Sequence, residues 1–274
     1  MTIPYIIILM ATGVVAGFGS GLLGVGGAFI VTPVQYMVFT HMGILPGMAI
    51  KLAFGTSLLV VLPTAISGTW RHHKEGSVWW KAAIAMGSCG SLAAFGGASL
   101  AVWLPGEPLK IAFGTIVLIA GIRMLFAKLP SAEQQPEDRP WVWIACAVPI
   151  GAVTGILGVG GGVLMIPVMV VVLRFKMHTA VATSLATMIF TSTAGVIGYI
   201  VNGLGVPDLP PYSIGYVNLL SWFLLVITSV GMAQVGAIVS HRLQGKYLKY
   251  IFSIIMFYLG LRMLGVFDLL GWPI

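Results

Sequence analysis

"LLGVGGAFIVTPV" from Leu22 to Val34 and "ILGVGGGVLMIPV" from Ile156 to Val168 are two versions of one pattern, with seven of thirteen aligned positions identical at a constant offset of 134. Each sets a Gly-Val-Gly-Gly cluster inside a long apolar run and follows it with a proline, Pro33 or Pro167. Adjacent glycines let a chain turn sharply and let another backbone or a ligand come close, because no Cβ stands in the way. Close helix packing is the alternative use of such residues.

The surroundings decide what such a turn means. Of 274 residues 58% are hydrophobic and only 8% charged, with a mean hydropathy of +1.03. A soluble domain could not hide so much apolar surface with so few charges at its rim. An integral membrane protein is expected, all-α because no period-2 barrel pattern is present. Eight apolar blocks lie at about 4–34, 43–70, 78–104, 109–127, 141–173, 178–201, 213–240 and 247–270, most of them close to the length that crosses roughly 30 Å of hydrocarbon. The start, "MTIPYIIILM", lacks a basic region and a cleavage site and reads as a retained first segment. Tryptophans fall near block ends, as interfacial aromatics do, and the +7 net charge reports loop topology, not nucleic-acid binding.

The repetition extends further. "GTSL" at Gly55–Leu58 matches "ATSL" at Ala182–Leu185, and the same offset carries Thr64 onto Thr191, Gly68 onto Gly195 and His72 onto Tyr199. "LKIAFGTIVLIAGIRML" at Leu109–Leu125 matches "LKYIFSIIMFYLGLRML" at Leu248–Leu264 in eight of seventeen positions. Duplication gives two halves, 1–127 and 141–274, joined by the polar linker 128–140.

Charge tests their orientation. With eight strict crossings, Arg71, Lys74 and Lys81 would face one side while Arg174, Lys176, Arg242, Lys246 and Lys249 faced the other, against the positive-inside rule. If the first block of each half is re-entrant, a pair of half-helices entering and leaving on one side, these residues all become cytoplasmic together with Arg123, Lys128 and Arg139. Glu107, Lys110 and Asp208 then lie outside. Three crossings per half make the repeats inverted, about a pseudo-two-fold axis in the membrane plane.

Irregular backbone at membrane depth is tolerated only where protein or a water-filled cavity satisfies it. A half-helix beginning near Gly24, Gly26 and Gly27, or near Gly158, Gly160, Gly161 and Gly162, would aim free amides and a positive dipole end inward, where an anion can bind without a counter-charge. Thr56 and Ser57, and at matching places Thr183 and Ser184, can donate hydrogen bonds to an oxyanion, or bond to their own helix carbonyls. Lys51 stands one to two turns before Thr56, either facing a cavity or snorkelling to the surface. All seven acids lie in loops or at block edges, against a cation carrier with an intramembrane carboxylate relay. No HExxH, CxxC or paired acids point to an enzyme, a metal or another cofactor, and Cys89 and Cys146 read as helix-packing residues.

The paired glycine motifs with distal proline, the two "TSL" segments, "SGTWRHHKEGSVWW" and the length together resemble the sulfite exporter TauE/SafE family of bacterial membrane permeases. That resemblance implies a multi-pass protein of the cytoplasmic membrane exporting sulfite, sulfoacetate or other organosulfonates. Its partners would be that small anion and the lipid bilayer. A secondary transporter is the expectation, with a channel-like pathway for another small anion or sulfur metabolite as the alternative.

Overall fold

The computed structural model describes residues 3–126 and 136–266. In chain order its elements are α1 (Ile3–Leu23), α2 (Ala28–His41), α3 (Pro46–Lys74), α4 (Trp80–Trp103), α5 (Gly106–Phe126), α6 (Pro140–Leu157), α7 (Gly162–Val171), α8 (Met177–Val201), β1 (Ser213–Ile214), β2 (Val217–Asn218), α9 (Leu219–Arg242) and α10 (Gly245–Met263). Among the described residues α1, α3, α4, α5, α6, α8 and α9 are long and apolar enough to cross a bilayer. The protein is an all-α, multi-pass membrane protein. Residues 128–135 of the expected linker 128–140 lie outside the described residues, as does the end of the last apolar block.

Both glycine clusters break helices, α1 from α2 and α6 from α7. The chain then turns back. Tyr5 and Met42 pack against one apolar cluster with Leu9, Val31 and Val38, so α2 climbs back along α1. In the second block Glu137 N donates to Leu173 O at 2.9 Å, which places the block's start beside its end. The arms are unequal, a difference from the expected half-helices. α1 has 21 residues and is long enough to span the bilayer alone, whereas α7, with 10, reaches about 15 Å at 1.5 Å per residue. A second correction concerns the block at 213–240, which opens as a β-hairpin and not as helix. Pro210 and Pro211 precede it, Gly215 turns it at φ 54°, and α9 starts only where Asn218 Oδ1 accepts from Ser221 N at 2.9 Å.

Long-range contacts fix the directions. α3 and α9 are parallel, since Leu59 O accepts from Trp222 Nε1 at 3.1 Å and Ser67 donates to Val230 O at 2.8 Å. α4 and α8 are parallel, since Trp79 N donates to Thr183 Oγ1 and Asn202 Nδ2 to Ser99 Oγ. The two pairs run oppositely: Tyr199 lies beside Gly55 and Leu185 beside Gly68. One end of the bundle therefore collects Arg71, Lys74, Lys81, Arg139, Lys176 and Arg242, from the ends of α3, α4, α6, α8 and α9.

α1 packs on α9, and α6 on α4, at the closest distance backbones allow. A Cβ on Gly21 would collide with Ala233 O, and one on Gly155 with Ala94 O. In the reverse direction a Cβ on Gly236 would strike Phe18 O, and one on Gly97 Ala152 O. Gly21 and Gly155 differ by 134, and Ala94 and Ala233 by 139, the offset that separates Leu109 from Leu248. Small residues make such contacts possible where lipid supplies no hydrophobic drive between helices. α3 and α8 form the centre, with most of their residues buried.

Candidate functional site

Each break is a run of left-handed backbone at the same three places. Gly24, Gly26 and Gly27 have φ of 73°, 75° and 77°, and Gly158, Gly160 and Gly161 have 62°, 76° and 96°. Only glycine takes such angles in succession without strain. The two breaks also touch. A Cβ on Gly162 would lie 2.5 Å from Val25 Cα and 2.6 Å from Gly24 O. Val61 of α3 and Met188 of α8, themselves 127 apart like the TSL segments, wedge between them. A Cβ on Gly26 would meet Val61 Cγ1 at 2.9 Å and Met188 Sδ at 3.0 Å.

Hydrogen bonding stops across each break. Gly24 N donates to Ser20 O at 2.8 Å, and the next amide to donate is Ile30 N, to Gly27 O at 3.0 Å. In the second break Gly162 N points at Met188 Sδ at 3.2 Å, and regular bonding resumes with Leu164 N to Gly161 O. Two helix N-termini thus meet back to back at the buried centre of the bundle, each carrying about half a positive charge. α1, α2, α6 and α7 contain no Asp, Glu, Lys or Arg.

The expected hydroxyls divide into two kinds. Ser184 joins the breaks, donating to Gly24 O at 2.7 Å from α8. Ser57 accepts from Thr32 Oγ1 at 2.9 Å and bonds to Gln35 Oε1 at 3.3 Å, on the first turns of α2. Thr56 and Thr183 are turned elsewhere. Thr56 Oγ1 accepts from Asn218 N at 2.9 Å and Thr183 Oγ1 from Trp79 N at 3.0 Å, and these amides belong to the residues that cap α9 and α4. Lys51 is not brought to the breaks. It stands ten residues before Val61, about 15 Å along the helix. Its Nζ donates to Val102 O at 2.6 Å, at the C-terminal end of α4 where a cation is favoured.

Other polar atoms at the breaks escaped the sequence reading. Gln35 is fully buried and its Nε2 has no partner among the described residues. Ser192 Oγ, 3.4 Å from where a Gly160 Cβ would stand, also lacks one, as do Ser20 and Thr154 one turn before the two breaks. Thr191 Oγ1 donates to Gly160 O at 3.2 Å. Unpaired buried polar groups cost stability unless something else meets them.

Comparisons with known proteins agree with this architecture. The sequence pattern of the family described as Sulfite exporter TauE/SafE matches residues 9–263. A probable membrane transporter protein of Methanocaldococcus jannaschii is 30% identical over 258 residues, covering 94% of each chain. Another from Xylella fastidiosa is 34% identical over 189 residues, 68% of this chain and 70% of its own. The probable membrane transporter protein YunE of Bacillus subtilis is 25% identical over 282 aligned residues, 96% and 99% of the two chains. No solved structure matches. A multi-pass bundle built round two touching glycine breaks, and a family match over nearly all of it, lead to one statement: the chain is a membrane transporter belonging to the sulfite exporter TauE/SafE family.

Proposed function

We propose that the protein is a secondary transporter of inverted-repeat type that carries a small oxyanion, a sulfite, sulfoacetate or related organosulfonate, out across the cytoplasmic membrane. The repeats are 1–127 and 141–274, with the linker 128–140 and the basic end of the bundle inside by the positive-inside rule. The anion is held where the breaks meet. The observation that carries this reading is the convergence of the α2 and α7 N-termini at the buried centre, where Gly162 N meets only the Met188 sulfur, the first two α2 amides have no partner among the described residues, and those helices carry no acidic side chain. Such ends attract negative charge and repel cations. Gln35 Nε2 and the Ser192 hydroxyl, both without a partner among the described residues, extend the donor set to oxygens of a sulfonate or sulfite. Rocking of the two repeats about their touching breaks would expose the anion to each side in turn.

The test is calorimetric titration of purified protein with sulfite, sulfoacetate and chloride, on wild type and on Gln35→Met. Methionine stands at the position of the second break that matches Gln35, Met169. The exchange removes an unpaired buried NH2 group together with the Oε1 that accepts from Ser57 at 3.3 Å, and because these effects oppose each other the melting temperature should change little. Loss of a hydrogen bond to a charged ligand, worth about 1.5–3 kcal/mol, should weaken sulfoacetate or sulfite binding by roughly 10- to 100-fold. Lys51→Ala, away from the breaks, should lower stability and leave affinity unchanged. Equal affinity in wild type and Gln35→Met, or chloride binding as tightly as both oxyanions, rejects the assignment.

A further inference from the structure

Three histidines from three helices gather at the basic end of the bundle. His72 of α3 is fully buried, and its Nε2 lies 3.0 Å from Gly21 O, in the last turn of α1 before the first break. Its Nδ1 lies 2.9 Å from Nε2 of His241 on α9, with ring centroids 4.8 Å apart. His178 of α8 stacks on His241 at 6.0 Å, and its own Nε2 donates to Ser240 O and Leu243 O at 3.1 and 3.0 Å.

Hydrogen-bond chemistry assigns most of the protons. A carbonyl only accepts, so His72 Nε2 carries a hydrogen and donates it to Gly21 O. In the neutral pair His72 Nδ1 then accepts from His241 Nε2–H. One further proton can be added without breaking the 2.9 Å contact. It sits on His241 Nδ1, or on His72 Nδ1 with His241 Nε2 as acceptor and the other hydrogen moved to His241 Nδ1. A second would set N–H against N–H. The pair is thus a store for a single proton, with half-buried His241 as the wetter member and buried His72 as the member tied to the break.

We propose that the His72–His241 pair is a proton-binding site that couples transport to the proton gradient. Proton uptake changes the strength of the His72 bond to Gly21 O, and Gly21 is three residues before Gly24, where α1 turns into the break. The groups that face the pair are His178 from α8 and Arg71 and Glu75 from α3, which pair with each other at 3.1 Å. The titratable group of α1, Tyr5, stands at the opposite end of that helix from Gly21, and α9 adds Arg242 beside His241. The cargo in the flux experiment rests on the reading above; the proton site does not.

Two measurements test this. The first is 15N NMR of the imidazole nitrogens in histidine-labelled protein, between pH 5 and 8, with no anion added. His72 and His241 should titrate together, taking up one proton between them, and His241→Gln should abolish that joint step. Two independent titrations, or none, overturn the proposal whatever the cargo. The second uses proteoliposomes loaded with a pH dye, with membrane potential clamped at zero by valinomycin and equal potassium. At equal pH on both sides, wild type and His241→Gln should both carry sulfoacetate down its own gradient. A one-unit pH gradient should then drive about tenfold sulfoacetate accumulation in wild type, for one proton per anion, and none in His241→Gln or His72→Gln. Sulfoacetate flux that neither responds to the gradient nor moves protons overturns the coupling and leaves the anion reading standing. Absence of flux at every pH instead removes sulfoacetate as cargo, and the NMR result then decides the proton site.

Discussion

The two breaks share a backbone and differ in what holds it. Gly24, Gly26 and Gly27 repeat as Gly158, Gly160 and Gly161 with left-handed φ at all six positions, and each preceding long helix is gripped by a side chain from a central one. At the first break the grip is His72 on Gly21 O; at the second it is Tyr199 on Ile156 O, at 3.1 Å. The first has Gln35 with Ser57 and Thr32, where the second has Met169 and Ile166. Packing geometry is thus kept in both places, while titratable and amide-bearing side chains are concentrated in one. Shape appears twice because both helix ends must meet. Chemistry need appear only once, because the two ends meet at one point.

The largest effect expected concerns what is shared. Gly21→Ile and Gly155→Ile each drive a branched side chain into a backbone carbonyl, Ala233 O or Ala94 O, that the rest of a helix holds in place. Neither neighbour can yield by rotating a side chain. Both variants should fail to give a monodisperse peak in size-exclusion chromatography of detergent extracts, and to the same degree. Survival of one and loss of the other would show that the α1–α9 and α6–α4 contacts are not mechanically equivalent.

A smaller and unequal effect is expected at the starts of the short helices. Gly27→Ala strains a φ of 77° and places its Cβ 2.7 Å from Ala16 O, a backbone atom. Gly161→Ala strains a φ of 96° but meets Thr154 Oγ1 at 2.9 Å, the end of a side chain that can turn away. Left-handed strain of about 1–3 kcal/mol applies to both, and the backbone collision to Gly27→Ala alone. Its melting temperature should fall further than that of Gly161→Ala, and adding Thr154→Ala should restore part of the loss only in the latter. Equal losses, or no restoration, would mean that the contacts of the two breaks are alike after all.

What could be read from the sequence was local. Glycine runs, proline spacing and the lengths of apolar blocks gave the helices and their breaks, and the placement of basic residues gave the returning path of each first block. The misses are contacts between residues far apart in the chain. Thr56 meets the amide of Asn218, Lys51 the carbonyl of Val102, and His72 the ring of His241, 169 residues away. Periodicity carries no trace of such partners. Gln35 did leave a signal, as a lone amide in the apolar run of α2, and a buried polar residue in a membrane helix is a candidate for function by that fact. The β-hairpin before α9 was also foreshadowed, by Pro210 and Pro211 immediately ahead of the block at 213–240.

The smallest effect separates the two grips. Tyr199→Phe keeps the ring and removes one hydrogen bond, from a fully buried hydroxyl to Ile156 O. A neutral bond of this kind is worth about 0.5–1.5 kcal/mol net, so a small drop in melting temperature is expected. Phenols do not titrate between pH 5 and 8, and the drop should therefore be the same at both limits. His72→Gln removes an imidazole from the matching place, and the proposal that the pair takes up a proton across the range predicts an effect on melting temperature that differs between those limits. Tyr199→Phe becoming pH-dependent would mean that the second break senses the histidine cluster through α8, whose first turn carries His178. A pH-independent His72→Gln would mean that the first grip, like the second, is only a hydrogen bond.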